Sequence, residues 1–208
     1  MPPSFTRALA FGVYERELRE LIHLLKYGRI APVARGLGAL LATTLAAATD
    51  APDNLLVVPV PLFRVRQRSL GFNHAERIAR ALVAATRRAA SVRQRRLTLA
   101  SAALERRRAT DAQASLTPRQ RRHNLRGAFA VPRASLVAGR AVLLVDDIYT
   151  TGATARAASQ ALLTAGAFSV WVLTVARAQR DGVAHWDLPA ELNTATALEP
   201  EYTGASQA

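Results

Sequence analysis

The sequence predicts an α/β fold, with a mostly parallel central sheet flanked by helices. Three observations carry this. Leu55-Leu-Val-Val-Pro-Val60, Arg140 to Asp146 and Ser169 to Ala176 are apolar runs of strand length, as expected of strands buried on both faces. Stretches with helical spacing alternate with them, which is the pattern of a parallel sheet. The strongest run ends in Asp146-Asp147, a hydroxyl-rich loop follows, and an alanine-rich helical stretch begins at Ala153. Ligands of such sheets bind beyond the carboxyl ends of the strands.

The elements follow in order. Tyr14 to Tyr27 places Leu18, Leu21, Ile22 and Leu25 at helical spacing with Glu and Arg between them. Pro32 opens a second helix through Leu37, Leu40, Leu41 and Leu45. Asp50 to Asp53 is a turn, and Leu55 to Val60 the first core strand. Asn73 is placed to cap a helix through Ile78 and Leu82 to about Arg88. Leu97 to Leu99 and Ala128 to Val131 read as short strands; residues 100–126 are polar and basic, with Ser115-Leu-Thr-Pro118 suggesting a turn into a short helix. Ala153 to Ala165 is helical and stops at Gly166. The domain division expected is an N-terminal helical segment over 1–52, a core over 53–180, and an acidic tail over 181–208. That tail has few apolar anchors and is expected to be partly disordered or loosely docked.

Composition removes several function classes. The chain has 208 residues and no cysteine, so a disulfide framework and thiolate metal sites are excluded. Charged residues from Arg7 to Glu17 break any signal-peptide core. The apolar stretch from Gly36 to Ala48 is too short for the ~20 residues of a membrane helix. No membrane insertion and a cytoplasmic location are the expectations. The net charge is +13, and Lys26 is the only lysine. From Arg64 to Arg126 stand 17 arginines against Glu76, Glu105 and Asp111, whereas the tail after Arg180 is acidic.

The Asp146 segment carries chemistry. Backbone N–H groups at a helix start are unpaired and partly positive, so they attract anions. Gly152 removes a Cβ that would block an approaching phosphate, and Thr150, Thr151 and Thr154 add hydroxyls, with Ala153 between them. Asp146 and Asp147 would repel that phosphate, so they need another partner: sugar hydroxyls, or a Mg2+ ion. A ribose 5-phosphate satisfies both halves. Competing readings are weaker. A lone Asp-Asp is usually a strand-end turn. A receiver-type site needs a later lysine, and none follows Lys26. Walker-type nucleotide sites need a glycine-rich loop and a lysine, both absent here.

A second loop lies at the end of the first core strand. Val58-Pro-Val-Pro-Leu62 is followed by Arg64, Arg66, Arg68 and Gly71-Phe72-Asn73. The prolines stiffen the exit, and either of their peptide bonds could be cis. Such arginines are commonly a solvated charge run. At a strand's carboxyl end they suit an anion, here a pyrophosphate.

The first segment resembles the phosphoribosyl pyrophosphate (PRPP) loop of type I phosphoribosyltransferases. The second loop narrows the resemblance to the ComF/GntX branch of that family. Lys26-Tyr27-Gly28 looks like the branch's Lys-x-Gly after the first helix. Arg108, Thr110, Gln113, Leu116, Arg122, Asn124, Gly127 and Phe129 look like its central block, and Ala176-Arg177 like the segment after its last core strand. The resemblance spans about residues 11–178. Many members begin with a four-cysteine zinc ribbon, which this sequence lacks, so either it is similar to a shorter form or its start is trimmed. His74 stands where glutamine is common, and His123 reads as a solvent-facing loop residue rather than a base.

The resemblance implies a type I phosphoribosyltransferase-like fold with a small N-terminal helical hood. It implies that Asp146 and Asp147 act catalytically by orienting the ribose diol, and touch Mg2+ only through ribose hydroxyls or water. Residues 150–154 would hold the 5′-phosphate. Val60, Pro61, Leu62, Arg64, Arg66 and Arg68 would form the pyrophosphate loop. Arg108, Thr110 and Gln113 would belong to a flexible loop that closes as a lid. Two functions stay open: phosphoribosyl transfer to an unknown acceptor, or a non-catalytic competence and DNA-uptake protein that senses PRPP or nucleotides. In the second, the basic segment 64–126 would contact nucleic acid. A homo-oligomer is compatible with either.

Overall fold

A computed structural model describes residues 4–28, 30–63, 71–88, 95–108 and 127–178. Strand β1 (Arg7–Val13) is followed by helices α1 (Arg16–Tyr27) and α2 (Ala31–Ala47). Strand β2 (Asn54–Pro59), helix α3 (His74–Arg88) and strand β3 (Arg96–Leu99) come next. A short pair, β4 (Glu105–Arg106) and β5 (Phe129–Ala130), precedes β6 (Ala141–Tyr149), α4 (Ala153–Thr164) and β7 (Ser169–Arg177). The main sheet has the order β1-β7-β6-β2-β3, and every pairing in it is parallel. Strands β4 and β5 pair antiparallel as a separate ribbon.

Parallel pairing explains the continuous apolar runs. Along β2, Leu55 and Val57 enter one core while Leu56 and Val58 enter the other. Along β6, Leu143 and Val145 join the first core, and Val142 and Leu144 the second. With helices covering both faces, no position in mid-strand faces water, so the polar half of the usual alternation disappears. The first core is closed by Ile22 and Leu25 of α1, Leu37, Leu41 and Leu45 of α2, and Ile78 and Leu82 of α3. Each of these is essentially inaccessible, and each contributes about 1.5–3 kcal/mol by leaving water. The second core rests on Ala155, Ala158 and Leu162 of α4.

The α2–α3 contact is the tightest helix pairing. A Cβ built on Gly38 would stand 2.6 Å from the Ala81 carbonyl carbon and 2.7 Å from the Leu82 nitrogen. The end of α2 is held from outside: the buried Arg95 guanidinium donates to the carbonyls of Leu45, Ala48 and Ala51. Leu45 belongs to the last turn of α2 and Ala48 follows its end, and positive charge is favourable at a helix C-terminus.

Four expectations are corrected. Residues 1–52 are not all helical: β1 adds an edge strand to the main sheet beside β7. Among its residues only Leu9 is fully buried, so neither a continuous apolar run nor a clean alternation marks it. The N-terminal helices also pack into the same core as the sheet. Second, β6 does not stop at the acid pair. It runs through Asp146 and Asp147 to Tyr149, with Asp146 beside Thr174 and Tyr149 beside Arg177 of β7. The apolar pattern ends at Val145, but the backbone ladder does not need apolar side chains to continue. Third, the open possibility of a cis bond before Pro59 or Pro61 is not realised: both are trans. Fourth, no strand is expected between Leu99 and Ala128, yet Glu105–Arg106 forms the ribbon with Phe129–Ala130; the turn and short helix expected from Ser115 to Pro118 lie outside the described residues. Asn73 caps α3 as expected, its Oδ1 accepting from the Ala75 N–H at 3.0 Å. Gly166 adopts φ +93° after α4, and the Gly166 and Ala167 N–H groups donate to Leu163 and Leu162. The acidic tail lies outside the described residues.

Candidate functional site

Parallel strands end together, so β6 and β2 deliver their following segments to one edge of the sheet. There Asp146 and Asp147 meet Val60, Pro61 and Leu62 of the second loop, His74 and Asn73 at the start of α3, and Thr154 of α4. They line an open cleft of about 140 Å³. Two cations complete it, Lys26 from the last turn of α1 and Arg106 from the ribbon.

The acids differ in partner. Asp147 receives the Lys26 ammonium, Nζ to Oδ2 at 2.6 Å, with side chains 13% and 22% exposed respectively. Asp146 Oδ1 accepts the Asp147 backbone N–H at 2.9 Å. Burial and the neighbouring Asp147 charge push the Asp146 carboxyl up to about 8, against the weaker pull of that backbone N–H and of Lys26. Burial opposes the charge on Lys26. The ion pair and hydrogen bond to Asp147, with smaller help from Asp146 and Tyr14, outweigh it and raise the ammonium's pKa. The acid pair thus favours one ionised carboxylate against one ammonium, beside a carboxyl that resists ionisation.

The loop after β6 turns sharply. Gly152 sits at φ +70°, a left-handed conformation open to glycine. A Cβ there would run into the Tyr149 ring, whose Cζ lies 2.6 Å from that position, and would stand 3.1 Å from Arg156 Nη1. Arg156 Nη2 donates to the Thr151 carbonyl at 2.6 Å, tying the loop to α4. The Ala153 N–H points to Thr151 Oγ1 at 3.3 Å, a long bond that leaves the helix start able to turn to a ligand. Under the loop is a pocket of about 20 Å³, lined by Val60, Asp146, Tyr149, Thr150, Gly152 and Thr154 among others. This is room for a water molecule. This space is too small for a phosphate group. Burial raises the Tyr149 hydroxyl's pKa, with Arg156 opposing, so it stays neutral and presents no charge to an anion.

The structure brings together Asp146, Asp147, Val60, Pro61, Leu62 and the loop from Thr150 to Thr154. Arg64, Arg66 and Arg68 lie outside the described residues, as do Thr110, Gln113 and His123. Arg108 is described and exposed, and it is not among the residues that line the cleft. Sequence reasoning missed the roles of Lys26 and Arg106 as cleft cations. One signal for Lys26 was available: it is the single lysine in a chain whose other 27 basic residues are arginines. Nothing comparable marked Arg106, one arginine among three in a row.

The donor set decides what metal could be held. Among the described residues no group of three or more His, Asp or Glu side chains is placed to hold an ion. Two carboxylates, one already paired with an ammonium, do not make a resident site. They do suit a Mg2+ that arrives on a ligand's phosphates and meets the protein through few contacts. Among the described residues no helix is long and apolar enough to cross a membrane.

Residues 68–193 match the model of the phosphoribosyl transferase domain family. The chain is 33% identical over 181 residues to the DNA utilization protein YhgH of Escherichia coli, covering 85% of this chain and 74% of that one. It is 29% identical over 180 residues to competence protein F of Haemophilus influenzae, covering 85% and 75%. A crystal structure of a Thermus thermophilus protein aligns over 73% of this chain and 86% of its own, with 20% identity and a TM-score of 0.36.

Proposed function

This chain belongs to the phosphoribosyl transferase domain family, in the branch of the ComF-type competence and DNA utilization proteins, and from that premise we propose that its cleft binds PRPP or a related ribose 5-phosphate. One observation supports the reading above others. Asp146 and Thr154 line both the pocket under the glycine loop and the open cleft. An anion at the helix start and hydroxyls at the acids would therefore border one shared space, as the two ends of a ribose phosphate require.

The reaction we propose is attack of an acceptor at C1′ of PRPP. The new bond forms at C1′ as the C1′–oxygen bond breaks, and pyrophosphate leaves with the electron pair. Mg2+ carried on the diphosphate would neutralise that leaving group. The chain's own residues position and screen. Residues 150–154 hold the 5′-phosphate at the helix start. Asp147 and Asp146 accept the diol hydroxyls and fix the ring. Arg106 and Lys26, with the arginines of the second loop, face the diphosphate. An N–H acceptor would lose its proton to water or to the departing pyrophosphate, so the step requires no side-chain base. The first helices would form the hood that meets the acceptor.

Isothermal titration with PRPP and Mg2+ tests the reading. Wild type binds, and Asp147→Asn binds at least about tenfold more weakly for loss of a charge-assisted contact. Absence of heat with wild type would sink it. Pyrophosphate release with a panel of nucleobases tests the transfer step.

A second reading is nucleic-acid contact through the basic segment. Arg80, Arg87 and Arg88 of α3, Arg96, Arg107 and Arg108 are all exposed, and the matched relatives carry DNA utilization and competence in their names. DNA affinity that falls steeply with salt, and is the same in Asp147→Asn, would support a surface separate from the cleft. Salt-independent or absent binding would remove this reading.

A further inference from the structure

Two adjacent carboxylates at the rim of an apolar sheet need a counter-charge. In many phosphate-handling sites a divalent ion supplies it. Here the chain supplies one from a distant helix. Lys26 lies in the last turn of α1, with Nζ 2.6 Å from Asp147 Oδ2. The turn that follows is held tight. The Gly28 N–H donates to the Leu24 carbonyl at 2.8 Å, and a Cβ on Gly28 would stand 2.8 Å from that same oxygen. Any larger residue would push this turn outward and carry Lys26 with it. The Lys26-Tyr27-Gly28 segment thus works as a device that ends α1 with its lysine over the acid pair.

The neighbourhood leaves no comparable place for a metal. His74 lines the same cleft, but among the described residues it does not complete with Asp146 and Asp147 a group placed to hold a metal ion. An ammonium already within hydrogen-bonding distance would repel a dication at the same carboxylate. Lys26 nevertheless faces the open cleft, together with Arg106. It can therefore meet an incoming anion without leaving the neighbourhood of Asp147.

We propose that Lys26 is the resident counter-cation of the acid pair, occupying the place a divalent ion would otherwise take and meeting the diphosphate end of the ligand with its ammonium. The free protein then keeps the pair metal-free, and part of the ligand's affinity is independent of Mg2+. The identity of the anion rests on the reading of the cleft given above; the exclusion of metal does not. Lys26 acts on the sugar through Asp147, as a positioning residue, and directly only on the anion.

Two measurements test this. Mn2+ binding to the ligand-free protein is followed by electron paramagnetic resonance. Lys26→Met is expected to bind Mn2+ at least about tenfold more tightly than wild type, since the Asp147 carboxylate is left without its cation beside Asp146. Equal affinities would overturn the proposal. The second measurement needs no variant. Because Lys26 is the only lysine, 15N-lysine labelling gives a single side-chain ammonium signal. Inorganic pyrophosphate added in EDTA is expected to shift it, and an unmoved signal at saturating pyrophosphate, or absence of binding, would overturn the proposal. In EDTA, Lys26→Met should lose about tenfold in pyrophosphate affinity, with most of it restored in Lys26→Arg. A loss as large in Lys26→Arg would indicate a packing role instead and count against the proposal. A protein that binds pyrophosphate through Lys26 but fails to bind PRPP would refute the ribose reading and leave the role of Lys26 standing.

Discussion

Lys26 and Asp147 are joined at 2.6 Å across the end of the sheet, although they lie near opposite ends of the described chain. This contact ties α1 to the carboxyl end of β6, and it makes the acid pair a charge-balanced unit. Removal of one partner leaves the other partly buried and unpaired. Lys26→Met and Asp147→Asn should each lower stability in urea by about 1–3 kcal/mol. The double variant should cost less than the two single losses together, because neither charge is stranded. Strict additivity would mean that the ion pair contributes nothing.

Asp146 should make the fold sensitive to pH in a definite direction. Its carboxyl is raised from an ordinary 3.8 to about 8, first by burial and then by Asp147. The native state therefore favours the protonated form. That contribution is complete below about pH 4 and is lost as the pH rises through about 8. Within this window each pH unit lowers wild-type stability by up to about 1.4 kcal/mol. Asp146→Asn cannot ionise, and its Oδ1 can still accept the Asp147 N–H. Its stability advantage over wild type should grow from pH 4 to pH 8 and level off above. A constant difference across that range, measured by thermal melts at several pH values, would refute the shift.

Gly152→Ala places a side chain where φ is +70° and the Tyr149 ring already stands. The left-handed conformation alone costs about 1–2 kcal/mol for a residue with a Cβ. We expect a loss of that size in chemical denaturation, and a larger fractional loss of ribose 5-phosphate binding in titration calorimetry. Wild-type affinity in a folded Gly152→Ala protein would show that the glycine loop is not the phosphate site.

Gly38→Ala tests the fold away from the cleft. Its Cβ would overlap the backbone of α3 at Ala81 and Leu82. Both are backbone atoms that cannot rotate aside, so the helices must separate. A cost of about 1–3 kcal/mol is expected, despite alanine's better helix propensity. Increased stability would show that α2 and α3 approach less closely than described.

How much of this was legible beforehand follows from what is local. The strand β6, the acid pair, the glycine loop and α4 form one continuous stretch, from Ala141 to Thr164, and their periodicity and residue types were readable in order. The Asn73 cap and the Gly166 stop were readable for the same reason: each acts within a few residues of itself. The family resemblance rested on the same contiguous motifs. Strand β1 was not readable, because an edge strand with one fully buried residue carries no strong pattern.

The sequence by itself determined the parallel α/β architecture and the pairing of a glycine-containing helix-start loop with two acids, because apolar runs and turn chemistry are written along the chain. Only the tertiary structure decided what faces those acids. Right beside Asp147 it set Lys26 from α1, and across the cleft Arg106 from the ribbon. It also gave Asp146 and Asp147 different environments, though they are adjacent and chemically identical. The reason is physical: desolvation and Coulomb interaction depend on distance in space, and the crossovers of a parallel sheet bring together charges that no local pattern relates.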